Sequence, residues 1–144
     1  MTRKALIWWL ITLLIAGWLL WMTLRPNPAV AEDLAPLTGP AAERGIAPHV
    51  LIGLAGNVAV FIPLGASLSQ AAYHSTIRRD LEVAIGIGSA FSLTIEGLQL
   101  TIPGRVSGLD DWMLNTLGVA LGVLAARWMQ RVYVTSSLFR QDAD

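Results

Sequence analysis

The sequence predicts an all-α membrane protein, a bundle of four transmembrane helices with both termini cytoplasmic and a Pro-rich outer loop between helices 1 and 2. Three observations predict it. Only 14% of the 144 residues are charged and 54% are hydrophobic, whereas an ordinary soluble domain is about 25% charged. The run ALIWWLITLLIAGWLLWMTL at 5–24 carries no charge, and roughly 20 apolar residues let a helix cross about 30 Å of hydrocarbon. Lys and Arg are also unevenly shared between the loops. With the N-terminus inside, the cytoplasmic side holds Arg3, Lys4, Arg78, Arg79, Arg127, Arg131 and Arg140, and the outer side only Arg25, Arg44 and Arg105. An excess of basic loop residues marks the cytoplasmic face.

The first helix, 5–24, is apolar all round and suits lipid contact. Ala29-Val30-Ala31 before Glu32 resembles a signal-peptidase site. The apolar run is nevertheless longer than the roughly 7–15 residues of a signal h-region, so 5–24 is expected to stay as an N-terminal anchor. The outer loop, 25–48, holds Pro26, Pro28, Pro36, Pro40 and Pro48, five of the seven Pro, which disfavours long regular structure. The second span is expected at 50–69, with a bend near Ala59 because Pro63 lacks the backbone donor for that carbonyl. The third is expected at 81–102 and the fourth at 112–128. These three carry polar residues and should pack on one another. The segment from Val132 reads either as loose or as a helix continuing inward. The whole, 1–144, is one domain with its motif-bearing core at about 50–128.

Composition removes several functions. A net charge of +0 gives no support for nucleic-acid binding. Without Cys there is no disulfide, thiolate metal site or thiol nucleophile. His49 and His74 fall on opposite sides of the membrane, so no His-based metal site is expected, and no cofactor is implied.

The polar residues inside the spans have helical spacing. Glu96 and Gln99 are i, i+3, with Ser92 and Ser89 on the same face. Asp111, Asn115, Gly118 and Gly122 form one stripe, and the two glycines make a small-xxx-small packing surface. Asp110 and Asp111 suit a helix N-terminus, where acidic groups complement the dipole. In the second span His49, Gly53, Asn57 and Phe61 are spaced by four. A mid-bilayer carboxylate costs roughly 2.5–3.5 kcal/mol or more, so Glu96 should be neutral, paired or facing water. Under the topology above, Asn57, Glu96, Gln99, Asp111 and Asn115 share the outer half of the bilayer, with Arg105 above them. Together they suggest a polar pocket open to the outer leaflet. No ionisable group is legible in the inner half of spans two to four, which disfavours an ion or proton path.

These residues carry a family resemblance. Asn57-Val-Ala-Val-Phe61-Ile-Pro63-Leu-Gly65 resembles the N-x-x-x-F-x-P-x-G element of the VanZ-like membrane proteins, and Glu96-Gly-Leu-Gln99 resembles their E-x-x-Q element. Arg105, Asp110, Asp111, Asn115, Gly118 and Gly122 fall where the family has R…D-D-x-x-x-N-x-x-G-x-x-x-G. Gly108 departs from the pattern, standing where an Asp is common. The resemblance covers about 57–122. It implies a bacterial inner-membrane and cell-envelope setting, in a family linked to teicoplanin resistance, but no reaction.

Two functions follow. In one, the pocket binds or modifies a lipid-linked or anionic envelope component. Glu96 or Asp111 acts as general acid or base. Arg105 holds an anionic head group, and Asn57, Gln99, Asp110 and Asn115 bind substrate. Phe61, Pro63, Gly65, Gly118 and Gly122 are structural. The partners are then membrane lipid and a lipid-linked envelope precursor. In the other, the protein is a non-catalytic membrane module whose polar residues form an interhelical network. Whether it is an enzyme is left open.

Overall fold

The computed structural model describes residues 2–25, 55–102 and 108–141, without the side chains of 134–141. The described residues are helical with short connections. Helix α1 spans Arg3–Thr23, α2 Val60–Ala71, α3 Ile77–Gln99 and α4 Leu109–Gln141, and a π-helical turn at Ala55–Ala59 leads into α2. The outer loop from Pro26, the signal-like site, His49 and Arg105 lie outside the described residues.

Helix α1 starts where Thr2 Oγ1 accepts a hydrogen bond from the Ala5 N–H at 3.3 Å, filling one of the free donors of a helix N-terminus. Its uniformly apolar sequence gives it no polar face to direct. It packs on α2 through a strip that includes the buried Leu19. Leu6, Leu10, Leu13, Leu14, Trp18 and Trp21 remain exposed.

The π-helical turn falls where the sequence places the disturbance. Pro63 cannot donate to the carbonyl of Ala59, and its ring crowds that carbonyl. The backbone widens over Ala55–Ala59 and returns to α geometry at Val60. Helix α2 ends at Ala71, and a turn through Tyr73 and His74 sends the chain back into α3.

The third and fourth helices are longer than their apolar runs. Helix α3 begins at Ile77, four residues before the expected start, and so takes in Asp80. It ends at Gln99, short of 102. Helix α4 begins at Leu109 rather than 112 and runs to Gln141 rather than 128, so the segment from Val132 is helical. At 1.5 Å per residue it is about 50 Å long, well beyond a hydrocarbon core.

Helix α2 lies at the centre, against α1, α4 and α3. The α2–α4 contact is close because it is made by glycines. A Cβ on Gly118 would collide with the Val58 carbonyl, one on Gly122 with the Ile62 carbonyl, and one on Gly65 with the Val119 carbonyl. Phe61, Leu64 and Leu68 of α2, Ala84 and Ile95 of α3, Val119 and Val123 of α4, and Leu19 of α1 form the core.

Among the described residues three helices are long and apolar enough to cross a membrane: Arg3–Thr23, Ile77–Gln99 and the Leu109–Tyr133 part of α4. Described helix over the second expected span runs only from Ala55 to Ala71.

Candidate functional site

Helix periodicity sets two polar stripes. Stepping back by fours from Glu96 gives Ser92, Gly88, Ala84 and Asp80, all buried. Stepping forward by fours from Asp111 gives Asn115, Val119, Val123 and Arg127. Each stripe carries a charged group at both ends, a polar residue one turn in from Glu96 or Asp111, and small or apolar residues over the rest. Sixteen residues separate Asp80 from Glu96 and Asp111 from Arg127, or about 24 Å of helix. Because α3 and α4 run antiparallel, the four groups gather into two clusters.

The first cluster holds the residues singled out in the sequence. Asn57, in the π turn, donates from Nδ2 to Asp111 Oδ1. Glu96 Oε2 accepts from the Gly108 N–H at 3.2 Å, so the α3 carboxylate meets the chain just as it enters α4. Gln99 donates from Nε2 to the Thr23 carbonyl at 2.9 Å, tying α3 to the end of α1. Asn115 donates from Nδ2 to Ser92 Oγ at 2.9 Å. Trp112 donates from Nε1 to Ser89 Oγ, also at 2.9 Å. Glu96, Gln99 and Asn115 are buried, Asp111 is half-buried and Asp110 is exposed. Of the structural residues, Phe61 and Gly65 are buried in α2, Gly118 and Gly122 in α4, and Pro63 is exposed. One polar atom stands apart: Asn115 Oδ1 is buried with no hydrogen-bond partner among the described residues.

The second cluster corrects the expectation that the other half of these spans carries no ionisable group. Asp80 is 1% exposed. Its Oδ2 accepts from Arg127 Nε at 2.6 Å and from Ser69 Oγ at 3.2 Å. Its Oδ1 takes the His74 N–H at 2.8 Å and faces His74 Nδ1 at 3.0 Å. Arg127 also donates to the His74 carbonyl and lies over the Tyr73 ring at 4.3 Å from its centroid. Nearby, Gln130 Nε2 donates to Gln70 Oε1 at 2.7 Å. A carboxylate with four bonding partners and a guanidinium fork is the arrangement that makes a buried charge tolerable. It fastens the α2–α3 turn to α4. Asp80 looks like a loop charge in Arg78-Arg79-Asp80, yet the count by fours from Glu96 places it on the buried face. That spacing is the signal that could have found it.

Among the described residues no group of three or more His, Cys, Asp or Glu could hold a metal ion. The chemistry available in the first cluster is carboxylate and amide chemistry.

Residues 7–130 match the model of the VanZ/LLP1 family. The chain belongs to that family. The match takes in most of each long apolar helix described above and both polar clusters. This VanZ-family chain is therefore a multi-pass membrane protein by family and by helix composition, and its described elements are all helical. No curated protein and no solved structure gives a significant match to it.

Proposed function

We propose that this VanZ-family protein spans a bacterial inner membrane four times, with both termini in the cytoplasm. Its first cluster then forms a polar pocket in the outer half of the bilayer that binds or modifies a lipid-linked or anionic envelope component. The observation that carries the reading is Asn115 Oδ1, a buried acceptor left without a donor beside two carboxylates. A buried polar group without a partner costs about 1–3 kcal/mol. A purely structural network gains nothing by leaving it open, whereas a binding site does. In this reading Glu96 or Asp111 serves as general acid or base, and Asn57, Gln99, Asp110 and Asn115 orient the ligand. Arg105 supplies a fork for phosphate or carboxylate.

The test uses the purified full chain in detergent and a polyprenyl phosphate as probe. The probe should raise the thermal unfolding midpoint of the native protein. It should fail to do so for Glu96→Gln and Arg105→Lys variants that fold normally. In cells, the Glu96→Gln variant should lose any teicoplanin tolerance that the native chain confers. Topology is read separately from Ser75→Cys and Thr101→Cys, both exposed positions. An impermeant thiol reagent should label Thr101→Cys from outside the cell and leave Ser75→Cys untouched.

A second reading rests on the bonds from Asn57 to Asp111, Glu96 to Gly108 and Gln99 to Thr23. Each joins separate elements and could serve a non-catalytic module. That reading gains if a well-folded Glu96→Gln, Asp111→Asn double variant keeps full probe binding and phenotype.

A further inference from the structure

The direction of the hydrogen bonds in the first cluster narrows what can bind there. Asn57 gives one of its two amide N–H groups to a carboxylate oxygen and Gln99 gives one of its own to a backbone carbonyl. Both acceptors are oxygens, so both amides stand with their own oxygens turned away. Those two oxygens have no partner among the described residues. Asn115 adds a third: one N–H of its Nδ2 goes to Ser92, and its buried Oδ1 has no donor among the described residues. The Trp112 indole N–H is likewise committed, to Ser89. The acceptor left bare and fully buried among these side chains is Asn115 Oδ1.

We infer that the first cluster recognises a head group through that group's own hydrogen-bond donors, a primary ammonium or a hydroxyl, with Asn115 Oδ1 as the buried acceptor. The inference rests on the binding reading above and adds the chemistry of the ligand. Ammonium and hydroxyl share the property that matters, an N–H or O–H aimed at an amide oxygen. A quaternary ammonium carries the same charge as a primary one but has no N–H to give. Charge alone therefore does not satisfy the site, and the distinction can be measured.

Phosphatidylethanolamine, phosphatidylglycerol and phosphatidylcholine with identical acyl chains are compared for retention by the full chain in native mass spectrometry. Retention of the ethanolamine or glycerol lipid at least about tenfold above phosphatidylcholine is expected, since one buried acceptor satisfied or left bare separates ligands by roughly that factor. Preference for ethanolamine assigns the donor as ammonium, and preference for glycerol assigns it as hydroxyl. Equal retention of all three overturns the inference. Asn115→Leu should erase the preference. Asn115→Asp keeps an acceptor at the same place, lets the Ser92 hydroxyl reverse its bond, and should preserve it. If Asn115→Leu does not fold, loss of preference in folded Asn115→Asp still overturns the inference. Polyprenyl phosphate binding without lipid preference removes only this inference. Lipid preference without polyprenyl phosphate binding removes the envelope-precursor reading and leaves this one.

Discussion

The two ends of the α3–α4 pair are built on the same two stripes and differ in how completely their polar atoms are used. At the Asp80 end a single carboxylate meets a guanidinium, a hydroxyl, a backbone N–H and an imidazole, and its charge is balanced within the cluster. At the Asp111 end Asn57 donates to Asp111, Gly108 to Glu96, Gln99 to the Thr23 carbonyl and Asn115 to Ser92, and one buried oxygen, Asn115 Oδ1, has no donor among the described residues. The helices are the same, so the difference lies in that one unmet acceptor. A satisfied buried cluster fixes geometry. An incompletely satisfied one holds free energy that a ligand can recover. Under the proposed function, stability falls to the Asp80 end and recognition to the Asp111 end.

The largest effect that would test this division is at Arg127. Replacing Arg127 with Met strands a buried carboxylate, which costs about 3–5 kcal/mol. The unfolding midpoint in detergent should fall sharply, and adding Asp80→Asn should restore much of it. A fall no greater than that of a surface substitution would remove the structural role of the cluster. Next comes the glycine contact on which both ends depend. Gly122→Leu drives a side chain into the Ile62 carbonyl, and overpacking of this kind costs about 1–3 kcal/mol or more. Gly86→Ala, with nothing within 4 Å of the added Cβ, should be silent in the same assay. A smaller effect is expected at His74. His74→Ala removes the imidazole contact but leaves the backbone N–H on Asp80, a loss of about 0.5–1.5 kcal/mol. The smallest change in stability should come from Glu96→Gln. The new amide oxygen can still accept from Gly108, so unfolding should stay near native while ligand-dependent stabilisation disappears. If Glu96→Gln unfolds the protein as Arg127→Met does, the two ends are alike and the division fails.

The sequence made some of this architecture legible and hid the rest for identifiable reasons. Helix α1 stands within about two residues of its expected bounds because an uncharged 20-residue run has few other solutions. The disturbance at Ala59 was readable because Pro63 acts on a fixed neighbour four residues back. The expected boundaries differ from the observed ones at charged residues. Asp80 lies just before the expected third span yet inside α3, because backbone i→i−4 bonding continues wherever the side chain can reach a partner or water. Helix α4 continues past Trp128 for the same reason, since apolar composition decides what can sit in lipid, not where a helix stops. Within the candidate site, spacing showed that Glu96 and Gln99, and Asp111 and Asn115, share faces. It could not show that Asn57 would bond Asp111, or Asp80 meet Arg127, because those pairs are 54 and 47 residues apart and depend on how the helices pack. Arg105 and the outer loop lie outside the described residues.

The π-helical turn has a consequence for how such a site can change. A π ring closes over one more residue than an α ring, so residues on its N-terminal side are rotated about the helix axis by up to about 100° relative to an uninterrupted α-helix. Asn57 sits within the π turn, and Phe61 and Leu64, which fill the core, lie beyond its C-terminal end. The turn works as a phase shifter: it sets the azimuth of the amide independently of the azimuth of the apolar face. Pro63 holds the shift in place from the exposed side of α2, without touching the core. Replacing it with Ala would alter no buried volume, yet it would let the ring close to α geometry and swing Asn57 away from Asp111. The aim of one polar side chain in this protein is thus controlled by a residue that makes no polar contact of its own.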